Sequence, residues 1–202
     1  MQMYRLYEFP GSGNCYKIAL LLGLIGEEFE SVHVDILAGE SREPEFLAIN
    51  ATGKVPVLEI APGEYLPESN AALFYLAEKT PYFPESRLLR ARVLQWMFFE
   101  QYSHEPSIAV ARFLIKFLGN PDKHRSRVEQ CWKQGRLALD VMEDHLREHD
   151  FFVDDRYSIA DIALYAYTHV ADEGGFDLAQ YPSIGCWLER VSSQPGHRAM
   201  AS

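Results

Sequence analysis

Up to about residue 80 the apolar positions alternate between two periods, and beyond it only one remains. Tyr4 to Tyr7 reads as a short strand, and Phe9-Pro10-Gly11-Ser12-Gly13 as the turn after it. Tyr16 to Gly23 is strongly apolar and closes at Gly23 and Gly26, the pattern of a buried helix. Phe29 to Asp35 alternates, with Val32 and Val34 on one face, and predicts a second strand. Arg42 to Ile49 is helical and Val55 to Ile60 a third strand. Pro62-Gly63 is a hairpin turn, Tyr65-Leu66 a short fourth strand, and Pro67-Glu68-Ser69 opens a helix running to about Lys79. The order is β-α-β-α-β-β-α.

From Thr80 to Pro84 two prolines and two aromatics break the pattern. Only helical periodicity follows: Arg87 to Leu118, Asp122 to His149, Ile159 to Val170 and Ser183 to Ser193. The switch from mixed α/β to all-α near residue 82 marks a domain boundary. The expected organisation is an α/β domain over 1–79, a linker over 80–86 and an all-α domain over 87–202.

Composition changes this picture little: 48% hydrophobic and 24% charged residues are ordinary for a soluble globular protein. Charge narrows the partners. A net charge of −10 argues against nucleic acid or an anionic membrane, though not against a local basic patch around a small acidic ligand. The stretch MQMYRLYEF lacks the basic and apolar regions of a signal peptide, and no apolar run approaches the roughly 18 residues of a membrane span. Cys15, Cys131 and Cys186 lie far apart, which predicts reduced thiols and a cytoplasmic location. Asn50-Ala51-Thr52 matches a glycosylation sequon, a chance match without secretion. No histidine shows metal-type spacing, so no metal is expected.

Candidate chemistry concentrates at three points of the α/β half. Ser12-Gly13-Asn14-Cys15 sits where a thioredoxin-type redox domain carries Cys-x-x-Cys, with serine at the first position. A strand, a turn and a helix in succession make an anion site, because the first helical N–H groups are unpaired and the dipole adds positive charge. A bound thiol placed there would have its pKa lowered. Ser12 cannot ionise near neutral pH, so its chemical role is to donate to a thiolate; the plainer reading is an N-cap. Val55-Pro56 opens a strand, where proline favours an edge or a cis bond and leaves neighbouring backbone for an extended peptide. Glu68-Ser69 opens a helix whose N–H groups suit a carboxylate, while Glu68 suits an ammonium. Lys54 could neutralise a second carboxylate or be a solvated surface lysine.

These pieces add up to a resemblance. Ser-Gly-Asn-Cys-Tyr-Lys, then Asn50 to Leu58 (NATGKVPVL), then Pro67-Glu68-Ser69-Asn70-Ala71-Ala72 resemble a cytosolic glutathione transferase. Ser158-Ile159-Ala160-Asp161 is similar to that family's capping box and staple, and Pro182-Ser183-Ile184 to Trp187-Leu188 fits its C-terminal segment. The resemblance implies a thioredoxin-like N-terminal domain, an all-helical C-terminal domain, a homodimer, and glutathione as co-substrate. It implies that Ser12 contacts the glutathione sulfur and Asn14 makes a second polar contact, as in some bacterial members. Val55 would pair with the cysteinyl backbone beside a cis Pro56, Glu68 and Ser69 would hold the γ-glutamyl end, and Lys54 would meet the glycine carboxylate. The catalytic tyrosine of some classes is absent from its expected setting, although Tyr4 and Tyr7 lie on the first strand, and no cysteine stands at position 12. The pattern is most like the serine-type theta- and delta-like classes or the bacterial Nu-like group. The implied activity is thiolate attack on a small hydrophobic electrophile, with glutathione-dependent disulfide reduction or peroxidase chemistry as the first alternative. A non-catalytic binding or regulatory member and a ligand carrier are rivals from another class. Cys15, one turn after Ser12, reads as a packed thiol in preference to a partner in a mixed disulfide.

In the helical half, Trp96 to Pro106 (WMFFEQYSHEP) stands out. The resemblance makes Phe99, Tyr102, His104 and Pro106 candidates for a second-substrate pocket, and Glu100 or Gln101 candidates for reaching a neighbouring subunit's glutathione. His104 is a possible acid or base, against the commoner surface or capping histidine. Pro106 inside a helix predicts a kink. Ser158 with Asp161 reads as a folding feature.

Overall fold

A computed structural model of the chain describes residues 3–120 and 122–201. The chain divides into two units, residues 1–80 with 195–202 and residues 81–194. The tail after Gln194, expected within the helical domain, therefore groups with the first unit. It carries no helical period, and it bonds to Gly11 just before the first helix and to Tyr16 within it.

The first unit runs β1 (Tyr4–Glu8), α1 (Gly13–Ile25), β2 (Phe29–His33), α2 (Pro44–Ile49), β3 (Val57–Ala61), β4 (Glu64–Pro67) and α3 (Ser69–Ala77). The sheet order is β2-β1-β3-β4, with β1 and β2 parallel and the other pairs antiparallel. This is the thioredoxin-like arrangement. Alternation along each strand sorts the core. Tyr7 and Val57 face each other in register and pack with Val34 and with Phe46 of α2. Leu6 and Leu58 point to the opposite face, where α1 and α3 lie against each other. The apolar run of α1 ends at Gly26, whose φ of 74° closes the helix as only glycine does cheaply.

The second unit is helical: α4 (Arg87–Phe99), α5 (Glu105–Arg112), α6 (Arg125–Leu146), α7 (Ile159–Thr168) and α8 (Pro182–Ser192). The single helix expected over 87–118 is interrupted by two π-helical turns, Glu100–His104 and Phe113–Phe117. Pro106 stands at the start of α5. A proline there lacks its N–H and crowds the preceding turn, and the expected kink takes the form of that wide turn. At the start of α7, Ser158 and Asp161 form the expected capping box. No helix among the described residues is long and apolar enough to cross a membrane.

Candidate functional site

The first unit holds two helix starts with unusual chemistry. Ser12 is the N-cap of α1, its backbone extended and its Oγ accepting from the Cys15 N–H at 3.4 Å. That bond occupies an oxygen lone pair, so capping and donation are compatible roles for one hydroxyl. Burial pushes the Cys15 thiol up to about 12, against smaller opposing effects of the Ser12 side chain and the Phe9 backbone. Cys15 is thus a packed, protonated thiol at neutral pH and not a nucleophile.

Asn14 lies one residue into α1, and its Oδ1 accepts from the Ser69 hydroxyl at 3.3 Å. Ser69 is the buried first residue of α3. Lys17 Nζ donates to Ser69 Oγ at 3.3 Å and to Asn70 Oδ1 at 3.4 Å. One polar cluster therefore joins the starts of α1 and α3, so two helix N-termini share a neighbourhood with an ammonium. Lys17 is 0% exposed, and sequence reasoning passed over it as a motif residue. Its one signal was a cation in the middle of an apolar helix, a position lysine takes only with partners.

Glu68 is the N-cap of α3, exposed, with φ 72° and no side-chain capping bond. A glutamate held in this region stores on the order of 1–3 kcal/mol, a strain found typically at ligand-binding positions. The Val55–Pro56 peptide is cis, one of the two arrangements left open by the sequence. The β3 ladder begins at Val57, so the Val55 backbone lies outside it. The loop before it is shaped by Asn50, which the sequon reading missed. Its Nδ2 donates to the Lys54 carbonyl at 2.8 Å, and its Oδ1 accepts from the Thr52 N–H at 3.1 Å and hydroxyl at 3.0 Å. Asn50 is buried, and it fixes the path of the chain into Lys54 and Val55. The Lys54 side chain is exposed.

Tyr7 is not available as an activating phenol. Its hydroxyl donates to Glu59 Oε2 at 3.1 Å and accepts from Arg5 at 3.2 Å on the α2 face of the sheet. Burial, reinforced by Glu59, pushes it up to about 12. No group of three or more His, Cys, Asp or Glu among the described residues could hold a metal ion.

In the second unit, Phe99, Tyr102 and Pro106 line a groove of about 370 Å³ together with Cys131, Leu137 and Val141. His104 does not line it. The ring is fully buried, with Nε2 2.9 Å from the Thr168 hydroxyl. That hydroxyl donates its proton to the Leu164 carbonyl at 2.7 Å, so His104 must be the donor to it. His104 is therefore a packed residue, and both the acid–base and the surface or capping readings give way. Glu100 is also 0% exposed, so it cannot reach a neighbouring subunit. Half-buried Gln101 donates to it at 2.9 Å. The wide turn carries both residues inward, which a regular helical wheel does not anticipate.

Chemically, the first unit offers a hydroxyl at one helix start and, at another, a helix N-terminus beside the exposed Glu68 carboxylate. Such a pair can stabilise a thiolate and hold a zwitterionic end.

Comparison with known proteins converges on one family. The glutathione S-transferase N-terminal domain model matches residues 2–78, and the C-terminal domain model residues 99–195. A solved glutathione S-transferase from Pseudomonas fluorescens Pf-5 is 52% identical, with a TM-score of 0.97 and 100% of both chains covered. A glutathione S-transferase-like protein LUC7 from a Fusarium species is 31% identical over 93% of this chain and 87% of its own. The disulfide-bond oxidoreductase YfcG of Escherichia coli is 32% identical over 96% of this chain and 92% of its own.

Proposed function

This chain belongs to the glutathione S-transferase family, and we propose that it activates the glutathione thiol at Ser12 for attack on an electrophilic substrate. The observation that carries the reading is the pair of helix starts joined through Asn14, Ser69 and Lys17. In this reading the thiolate lies at the start of α1, where the Ser12 hydroxyl and the helix dipole favour the charged form. Asn14 is a second polar contact. The γ-glutamyl carboxylate meets Ser69 and the first N–H groups of α3, and the exposed Glu68 meets its ammonium. The Val55 backbone, outside the ladder beside Pro56, pairs with the cysteinyl part, and Lys54 meets the glycine carboxylate. The electrophile is apolar, in keeping with Phe99, Tyr102 and Pro106 along the second-unit groove.

The chain works as a homodimer in this proposal. Support comes from exposed apolar residues of the second unit, Phe98 at 69% and Tyr102 at 88% among them. Light scattering of the purified protein tests it.

A second reading, glutathione-dependent disulfide reduction, is favoured by the likeness to the Escherichia coli oxidoreductase and by Asn14 beside Ser12. It requires no second protein thiol, in keeping with the inert Cys15.

The test is calorimetry with glutathione on the parent and Ser12→Ala, followed by an ultraviolet titration of the bound thiol. The proposal expects both to bind and only the parent to lower the thiol pKa. A parent that does not bind overturns it. Assays with an aryl halide and with a small mixed disulfide then separate the two readings.

A further inference from the structure

The segment after α8 lies along α1 in reverse and reaches, at Ala201, the turn that carries Ser12. Gly196, with φ 83°, sits over the end of α1: a Cβ there would be 3.3 Å from the Gly23 carbonyl oxygen. Arg198 packs on Gly23 so closely that a Cβ on Gly23 would be 2.7 Å from its side chain. Farther back along the helix, the Tyr16 hydroxyl donates to the Arg198 carbonyl at 2.6 Å and lies 3.4 Å from His197 Nε2. Ala201 then accepts from the Gly11 N–H at 3.0 Å.

We propose that this tail, anchored by Tyr16, positions the Ser12 turn for thiol activation; Tyr16 and Ala201 are positioning residues that touch no reacting atom. The inference rests on the function proposed above. The turn is a weak place to hold a donor. Gly11 has φ 75° and precedes Ser12 directly, while the Ser12 N–H closes the turn onto the Phe9 carbonyl at 3.0 Å. A glycine there has more conformations open to it than any other residue. The bond from Gly11 to the tail restricts it from outside. Tyr16 is one turn beyond Ser12 and only 5% exposed, and its hydroxyl is committed to the tail. A donor to a developing thiolate is effective in proportion to how well it is fixed beforehand.

Two variants remove the strap at different points. Tyr16→Phe deletes the anchoring hydroxyl and keeps the ring. A chain shortened to end at Met200 removes the acceptor for Gly11. In either, amide exchange in a peptide spanning Phe9 to Cys15 should quicken about fivefold, the loss of one ordinary hydrogen bond. The titration midpoint of bound glutathione should rise by about half a pH unit, with kcat/KM at lower pH falling about threefold. KM for glutathione should stay within about twofold, since the γ-glutamyl contacts are elsewhere. The two changes combined should exceed the larger single effect little, because they cut one strap. A tail that merely stabilises the fold would lower the melting temperature and leave the midpoint unmoved, and that result overturns the inference. Unchanged exchange overturns it as well. If the parent fails to bind glutathione, the proposed function falls and takes this inference with it; if the parent binds and titrates normally while both variants match it, the inference alone falls.

Discussion

The start of α7 in the second unit and the starts of α1 and α3 in the first differ in what satisfies their backbone donors. At α7, Ser158 and Asp161 cap each other's backbone, and Asp161 also accepts from the Phe152 N–H at 3.1 Å and the Trp187 indole at 3.0 Å. Everything there is 0% to 4% exposed. At α1 the single side-chain capping bond is long, and at α3 the N-cap is a strained glutamate that caps nothing with its side chain. A helix start built for stability turns its capping groups inward and closes. One built for a ligand leaves donors facing outward, at a cost in local stability. The hydrogen bonds set the closed start of α7 apart from the other two, and the proposed glutathione site falls at those two.

The contrast breaks most visibly at Asp161. Asp161→Ala strands the Ser158 N–H and hydroxyl, the Phe152 N–H and the Trp187 indole in a dry interior. The loss should be about 3–5 kcal/mol by chemical denaturation, with glutathione affinity unchanged where the protein remains folded. The same carboxyl gives a pH test. Burial pushes it up to about 6, against the bonds that favour the charged form. A carboxyl raised above its ordinary value contributes stability that is fully present below pH 4 and lost as pH rises through about 6. Measured as parent against Asp161→Asn, the gap should move against the parent across that window by up to about 3 kcal/mol. A flat gap would show that the four bonds cancel the desolvation.

Ser12→Ala is expected to reverse the pattern. Losing this cap should lower stability by about 1 kcal/mol. Losing a hydrogen bond to a charged sulfur should cut kcat/KM for glutathione transfer about ten- to a hundredfold and raise the bound thiol's titration midpoint by one to two pH units, on the order of 1.5–3 kcal/mol. Equal losses of stability and rate from Ser12→Ala would erase the distinction between the two kinds of helix start.

How much of this was legible depended on the range of the signal. The capping box is written in four adjacent residues, Ser158 to Asp161, and the strands in their alternation, so local pattern sufficed. The burial of His104 and Glu100 was not legible. A π-helical turn adds a residue to the helical repeat, and over the whole helical pattern of residues 87–118 that slip vanishes into the average while it rotates those two side chains to the interior. Lys17 was hidden for a related reason: its bonds are to Ser69 and Asn70, more than fifty positions away. The tail along α1 left no trace, because an extended segment that packs through backbone carbonyls has no side-chain period to read.

The finest test of the comparison is Glu68, where strain and ligand binding can be pulled apart by two substitutions. Glu68→Gly removes the carboxylate and lets the backbone keep its φ of 72° without penalty. Glu68→Ala removes the same carboxylate and retains the strain. If the start of α3 is strained for a ligand, both should lose glutathione affinity to the same degree. Glycine should then be the more stable of the two by about 1 kcal/mol, less what its extra freedom in the unfolded chain takes back. Urea unfolding of the pair, beside calorimetric titration of each with glutathione, reads both quantities. Equal stability in the two variants would mean the positive φ costs nothing here, and the contrast would then rest on Ser12 and Asp161 alone.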